Sequence, residues 1–121
     1  MASDLRVLHA RDFLITSVHG ELDLAGSKKA LNEVAQAGVF SSGSNVMLDI
    51  RDVPGKLSLP DVMSFTQEFA SLQTDKGLKT AVLTTPNRFD NAEFFAVRAK
   101  DMGLKVQAFT SFEDAFDWLA L

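Results

Sequence analysis

From Asp23 onward the chain changes its hydrophobic period again and again, and this alternation constrains the fold more than any other feature. Stretches with apolar residues three and four apart, the spacing of one helix face, are separated by short and nearly unbroken apolar runs. The helix-like stretches follow Asp23 (Leu24, Leu31, Val34 and Ala35, stopped by Gly38) and run from Pro60 to Gln73, from Phe89 to Met102 and from Ser111 to Leu121. The strand-like runs are Asn45–Ile50, Leu78–Thr85 and Leu104–Phe109, and the first of these suits a central strand buried on both faces. Ahead of them lie Leu5–Ala10 and Phe13–Val18, with only Arg11 and Asp12 between. So short a connection makes a hairpin, because parallel strands need a crossover of about a dozen residues or more. The predicted order is β-β-α-β-α-β-α-β-α: an α/β domain with a mostly parallel five-stranded sheet, right-handed crossovers and an antiparallel first strand.

No linker, repeat or low-complexity stretch divides this pattern, so residues 1–121 are read as one domain. A chain of this length buries roughly two-thirds of the surface it exposes when unfolded, enough to fold without a metal or a disulfide. The sequence has no cysteine, which excludes disulfides, zinc thiolate sites and thiol nucleophiles. Sixteen acidic against 12 basic residues leave a net charge of −4, the wrong sign for a surface that neutralises nucleic-acid phosphates. No run of 18 apolar residues offers a membrane span, and Met1-Ala2-Ser3-Asp4 lacks the basic start of a signal peptide, so a cytoplasmic location is expected. The glycines are scattered. Neither Gly20–Gly26 nor Pro54-Gly55-Lys56 matches a dinucleotide fingerprint or a P-loop, and no cofactor is expected.

Few side chains suggest chemistry. His9 and His19 are the only imidazoles; in the predicted hairpin His9 lies near Leu14, far from His19, so a shared metal site is not expected. Asp49, Arg51 and Asp52 stand at the carboxyl end of the predicted central strand, where open α/β sheets bind ligands. They make either an interaction loop or a solvated turn in which Arg51 forms an ion pair. Catalysis by Asp49, Asp52 or His19 requires a pocket that joins two of them, and no catalytic residue is assigned. Ser58 opens Ser58-Leu59-Pro60-Asp61 ahead of an apolar helical run, a helix cap. The same hydroxyl is a candidate phospho-acceptor, since exposed N–H groups and the helix dipole stabilise a phosphate there. Ser111-Phe112-Glu113-Asp114 repeats the capping pattern.

Ten phenylalanines stand against one tryptophan and no tyrosine. Phe94 and Phe95 point about 100° apart on a helix, so either a wide apolar face takes both or one borders a pocket. Together with Phe65 and Phe69 they mark a candidate apolar-ligand site beside the second and third helices.

The strand Val46-Met47-Leu48-Asp49-Ile50-Arg51-Asp52-Val53, its spacing to the second helix, and the ending Phe109-x-x-Phe112-Glu113-Asp114-Ala115-Phe116-Asp117-Trp118-Leu119 resemble the stage II sporulation protein AA-like family. That family is a relative of the STAS domains of anti-sigma-factor antagonists and sulfate transporters, and by element order the resemblance covers nearly the whole chain. It implies a STAS-like fold. In the antagonist branch the loop after the Leu-Asp strand ends in Asp-Ser, and a partner kinase phosphorylates that serine at the start of the next helix. The matching position is Ser58, with Leu57 in place of the aspartate and Leu59-Pro60 where small residues are usual. The broader family has no established reaction and is linked to lipid-like or other small apolar ligands. The resemblance therefore implies a non-enzymatic regulatory module that acts through a protein partner, a second copy of the chain among the candidates. The alternative is a small apolar-ligand or lipid-binding protein with its cavity beside the second and third helices.

Overall fold

The computed structural model describes residues 4–10, 13–19, 23–53 and 55–121, with the main chain alone for residues 4–10 and His19. Among them the order is β1 (Asp4–Ala10), β2 (Phe13–His19), α1 (Leu24–Gln36), β3 (Asn45–Asp49), α2 (Leu59–Leu72), β4 (Lys79–Leu83), α3 (Phe89–Asp101), β5 (Lys105–Phe109) and α4 (Phe112–Ala120). The sheet keeps that order, β1-β2-β3-β4-β5. β1 pairs antiparallel with β2, placing His9 opposite Leu14, and β2 to β5 are parallel.

This topology decides where the helices go. Each crossover steps to the adjacent strand in the same direction, and right-handed connections then bring every crossover helix to one face of the sheet. α1, α2 and α3 lie there. Because strand side chains alternate, Leu14, Val18, Val46, Leu48, Val82, Val106 and Ala108 face them in one large core. The intervening Phe13, Met47, Ala81 and Leu83 point the other way and are covered by Ala115 and Leu119 of α4. β3 is thus buried on both faces at Val46, Met47 and Leu48, as its unbroken apolar run predicts.

The helix starts follow local chemistry. Asp23 accepts a hydrogen bond from the Gly26 N–H at 2.7 Å, Ser58 from the Asp61 N–H at 3.2 Å and Ser111 from the Asp114 N–H at 3.3 Å. Each satisfies one of the backbone donors that a helix start leaves unpaired. At the other end of α1, Gly38 takes φ +83°, which is open to glycine at little cost.

Two short 3₁₀ turns, Val39–Ser41 and Pro86–Arg88, are absent from the sequence reading. The first forms because Val39 and Phe40 are both buried, so the chain must coil to turn two consecutive apolar side chains inward. Elsewhere the predicted boundaries shift by a residue or two. β3 stops at Asp49 although Ile50 still donates its N–H to the Leu83 carbonyl at 2.9 Å.

Four aromatic rings tie α2 to its neighbours. Phe69, with no exposed surface, meets Phe40 edge-on at 5.5 Å and Phe95 at 5.2 Å, and Phe95 in turn meets Phe65 at 5.4 Å. No helix among the described residues is long and apolar enough to cross a membrane.

Candidate functional site

Beyond the carboxyl ends of β3 and β4 the chain leaves the sheet in two connections, whose described residues 50–53, 55–58 and 84–88 border the space between the sheet, α2 and α3. A cavity of about 130 Å³ lies there. Its hydrocarbon wall comes from Leu48, Ile50, Val53 and Val82 on the sheet side and from Val62, Phe65, Ala92 and Phe95 on the helices. Ser27 of α1 also contributes, and the outer wall includes Gly55 and Lys56, both exposed.

The polar groups around this space hold the connections in place. Arg88 donates from Nη2 to the carbonyls of Ile50 at 3.2 Å and Arg51 at 3.0 Å, and from Nε to Thr85 Oγ1 at 3.1 Å. The guanidinium thereby staples the turn after β3 to the turn after β4. Asn91 of α3 donates through its side-chain amide to the Leu57 carbonyl and holds the segment that leads into α2. Ser27 Oγ donates to the Asp23 carbonyl at 2.8 Å. Thr84 is different. It is 1% exposed, and its Oγ1 has no hydrogen-bond partner among the described residues.

Of the four phenylalanines singled out from sequence, the structure divides the set. Phe65 and Phe95 line the cavity. Phe69 does not, because it is clamped between Phe40 and Phe95 in the closed core, and Phe94, half-buried, packs at the margin of that core away from the cavity. The wide apolar face of α3 therefore absorbs both adjacent rings, and only Phe95 borders open space.

The turn after β3 closes on itself. Arg51 donates from Nε and Nη2 to the two Asp49 carboxylate oxygens at 3.0 and 2.9 Å, and the Arg51 N–H adds a third bond at 3.1 Å. This fork-to-fork pair is the ion-pair reading of the sequence. The Asp49 hydrogen bond raises the Arg51 pKa above its ordinary value, desolvation opposes it, and the Asp49 and Asp52 charges add to the rise. A raised pKa on a cation stabilises the fold at every pH below the ordinary arginine value and is lost only in strong alkali. With the Arg51 side chain 45% exposed, the pair contributes at most about 1 kcal/mol. Asp52 is exposed on the same turn. Neither aspartate lines the cavity, and the side chains of His9 and His19 lie outside the described residues.

Ser58 is exposed, one residue beyond the cavity wall at Leu57. Leu59, 52% exposed, and Met63, 39% exposed, follow it four residues apart and so share one face of α2. The cavity groups Thr84, Arg88 and Asn91 were not candidates from sequence. The only available signal was that two of them follow the carboxyl end of a strand, where ligands of α/β sheets gather.

No protein-family model matches the chain, and neither does any curated protein sequence. Solved structures do. An uncharacterised protein of the DUF3478 family with a SpoIIAA-like fold from Shewanella loihica PV-4 superposes with a TM-score of 0.57 at 17% identity, over 98% of this chain and 94% of that one. An anti-sigma factor antagonist from Mycobacterium paratuberculosis superposes with a TM-score of 0.56 at 13% identity, over 99% and 96% of the two chains. Identities this low speak for architecture alone: the chain has the SpoIIAA-like, STAS-type fold.

Proposed function

We propose that the chain is a regulatory protein-interaction module that works without catalysis and makes its contact through the start of α2. The observation that carries this reading is the exposed hydroxyl of Ser58 set against the exposed apolar face of Leu59 and Met63. Exposed large apolar side chains beside a modifiable group suit a surface that a partner covers in one state and leaves in another. The name of the Mycobacterium paratuberculosis neighbour describes an action on another protein, which supports the same reading. A cytoplasmic setting goes with it.

A phosphate on Ser58 would meet the N–H groups of Leu59 and of Asp61, which now bonds the serine oxygen, Pro60 having none, with the Asp61 carboxylate of that turn opposing it. The test is native mass spectrometry on protein purified from its own host, with the phosphate mapped by peptide. Phosphate on Ser58, lost in Ser58→Ala, is the expected result. The same variant should lose only about 1 kcal/mol of stability by urea titration, the cost of a helix cap. A purely thermal effect, with Ser58 unmodified in the host, sinks the switch. The same spectrum counts subunits and so tests a second copy of the chain as the partner.

The cavity favours a second reading, binding of a small apolar molecule. Its volume of about 130 Å³ is close to that of an engineered cavity of roughly 150 Å³ that takes benzene, and well below the roughly 300–1,000 Å³ of ordinary ligand pockets. It suits a compact molecule.

A further inference from the structure

We propose that a compact neutral apolar molecule, held in the cavity between the sheet, α2 and α3, fixes the start of α2 and so regulates the contact surface of Ser58, Leu59 and Met63. This rests on the interaction and apolar-ligand readings and joins them. The class of molecule follows from the described wall, which turns hydrocarbon to the space almost throughout. The side chains of Ser27, Arg88 and Asn91 are bonded to the protein, and the Thr84 hydroxyl is buried. A charged or strongly polar ligand would lose its water there and find no partner in exchange. A ring-sized hydrocarbon has no such cost, and it supplies contacts that the lining of an empty space of about 130 Å³ lacks.

The link to α2 is Leu57. Its half-buried side chain lines the cavity and packs against the core, and the next residue is Ser58. Ser58 Oγ accepts from the Asp61 N–H at 3.2 Å, and its carbonyl accepts from the Val62 N–H at 2.9 Å. The Val62 side chain then returns to the cavity wall. Two wall residues thus bracket the first turn of α2. When that turn unwinds both of them move, and a bound molecule loses Leu57 and Val62 together.

Little else holds this side of the cavity. Among the described residues the main chain of Gly55, Lys56 and Leu57 makes one hydrogen bond to the body, from the Asn91 side-chain amide to the Leu57 carbonyl, and Gly55 and Lys56 are exposed. Segments with few buried contacts and a solvated backbone open locally at small cost. A molecule that binds the wound turn and not the unwound one shifts that equilibrium. The coupling is reciprocal: a partner that covers Leu59 and Met63 and keeps the turn wound tightens the apolar molecule by the same factor.

The test is amide hydrogen exchange, read by NMR on the 121-residue chain with benzene as the probe. Benzene should shift the Val82, Ala92 and Phe95 amides saturably, and benzoate should bind at least about tenfold more weakly. At ten times its dissociation constant, benzene should slow exchange of the Val62 amide about tenfold, the factor by which a ligand of the wound state alone suppresses opening. Ala115 is the control, because its N–H bonds the Ser111 carbonyl at 3.1 Å in the same arrangement at the start of α4, away from the cavity. Its exchange should change by less than about twofold, both amides being read at low urea, where local opening dominates. Leu57→Ala shortens a half-buried side chain; it should still bind benzene, at higher concentration, but lose most of the Val62 protection. Protection that persists in Leu57→Ala, or that Ala115 shares in full, overturns the coupling and leaves the apolar-ligand reading standing. Benzoate bound as tightly as benzene overturns the neutral class. No saturable shift with benzene overturns the coupling and the apolar-ligand reading together, while the interaction reading is decided separately by the phosphate on Ser58.

Discussion

Phe69→Ala is expected to lower stability by about 3–5 kcal/mol, the largest loss of any single side chain discussed. The ring has no exposed surface and sits between Phe40 and Phe95, edge-on to both. Truncation removes two aromatic contacts, each worth about 0.5–1.5 kcal/mol beyond area, and leaves a void that rigid neighbours fill only in part. Collapse is harder here than in most cores. Phe95 already borders the 130 Å³ cavity, so an inward shift of that ring enlarges one hole to close another. Domains of this kind are stable by about 5–15 kcal/mol in all, and the variant should stand near the edge of folding. Urea titration checks it: the midpoint should fall with the slope unchanged, and a loss below about 1 kcal/mol contradicts the packing described. Phe94→Ala, which removes a half-buried ring from the core margin, should cost far less.

Removal of α4 should be the second large effect. Residues 112–121 cover Phe13, Met47, Ala81 and Leu83, which form a continuous apolar strip across three strands and are each 3% exposed or less. The helix is also tied at its carboxyl end. Asn45 donates its side-chain amide to the Leu119 carbonyl at 3.2 Å, and Lys79 Nζ donates to the Trp118 and Leu121 carbonyls at 3.0 and 3.3 Å. That ammonium complements the negative end of the helix dipole and stands 5.4 Å from the centre of the Trp118 ring. Burial of Leu119 and Phe116 alone is worth about 1.5–3 kcal/mol each when complete. A chain ending at residue 110 should therefore unfold at a much lower urea midpoint, followed by far-ultraviolet circular dichroism, and self-associate through the bare strip in size-exclusion chromatography. A monomer with the full-length urea midpoint would show that α4 contributes little.

Much of the architecture was legible because period and capping are local. Helical spacing found all four helices, and Asp23, Ser58 and Ser111 each cap where their sequence places them. The 3₁₀ turns were hidden because three residues are too few to show a period. The cavity was half visible. A helical wheel puts Phe65, Phe69 and Phe95 on inward faces but says nothing of which ring meets a ring and which meets space. That depends on Phe40, 29 residues before Phe69 in the chain. Thr84, Arg88 and Asn91 carry no motif, and their roles arise only when two turns after different strands come together. Asp49, Arg51 and Asp52 were read as an interaction loop or as a turn with an Arg51 ion pair, and the bidentate Asp49–Arg51 geometry is visible only in the structure.

The strictly sequential strand order also gives the domain a history during synthesis. Every parallel strand pairs with the strand made just before it, so each new β-α unit can dock as soon as it emerges, and such near-neighbour contacts form quickly. α4 breaks that rhythm. It packs on β3, β4 and β5 and is the last of these elements to be made. At about 5–20 residues per second, the ribosome needs a few seconds to pass from the end of β4 to the end of α4. During that interval α3 and β5 join the side that α1 and α2 already cover, while the other face, with Phe13, Met47 and Leu83, stays open to any apolar surface nearby. The vulnerable species of this protein is thus the chain on the ribosome before α4 has docked.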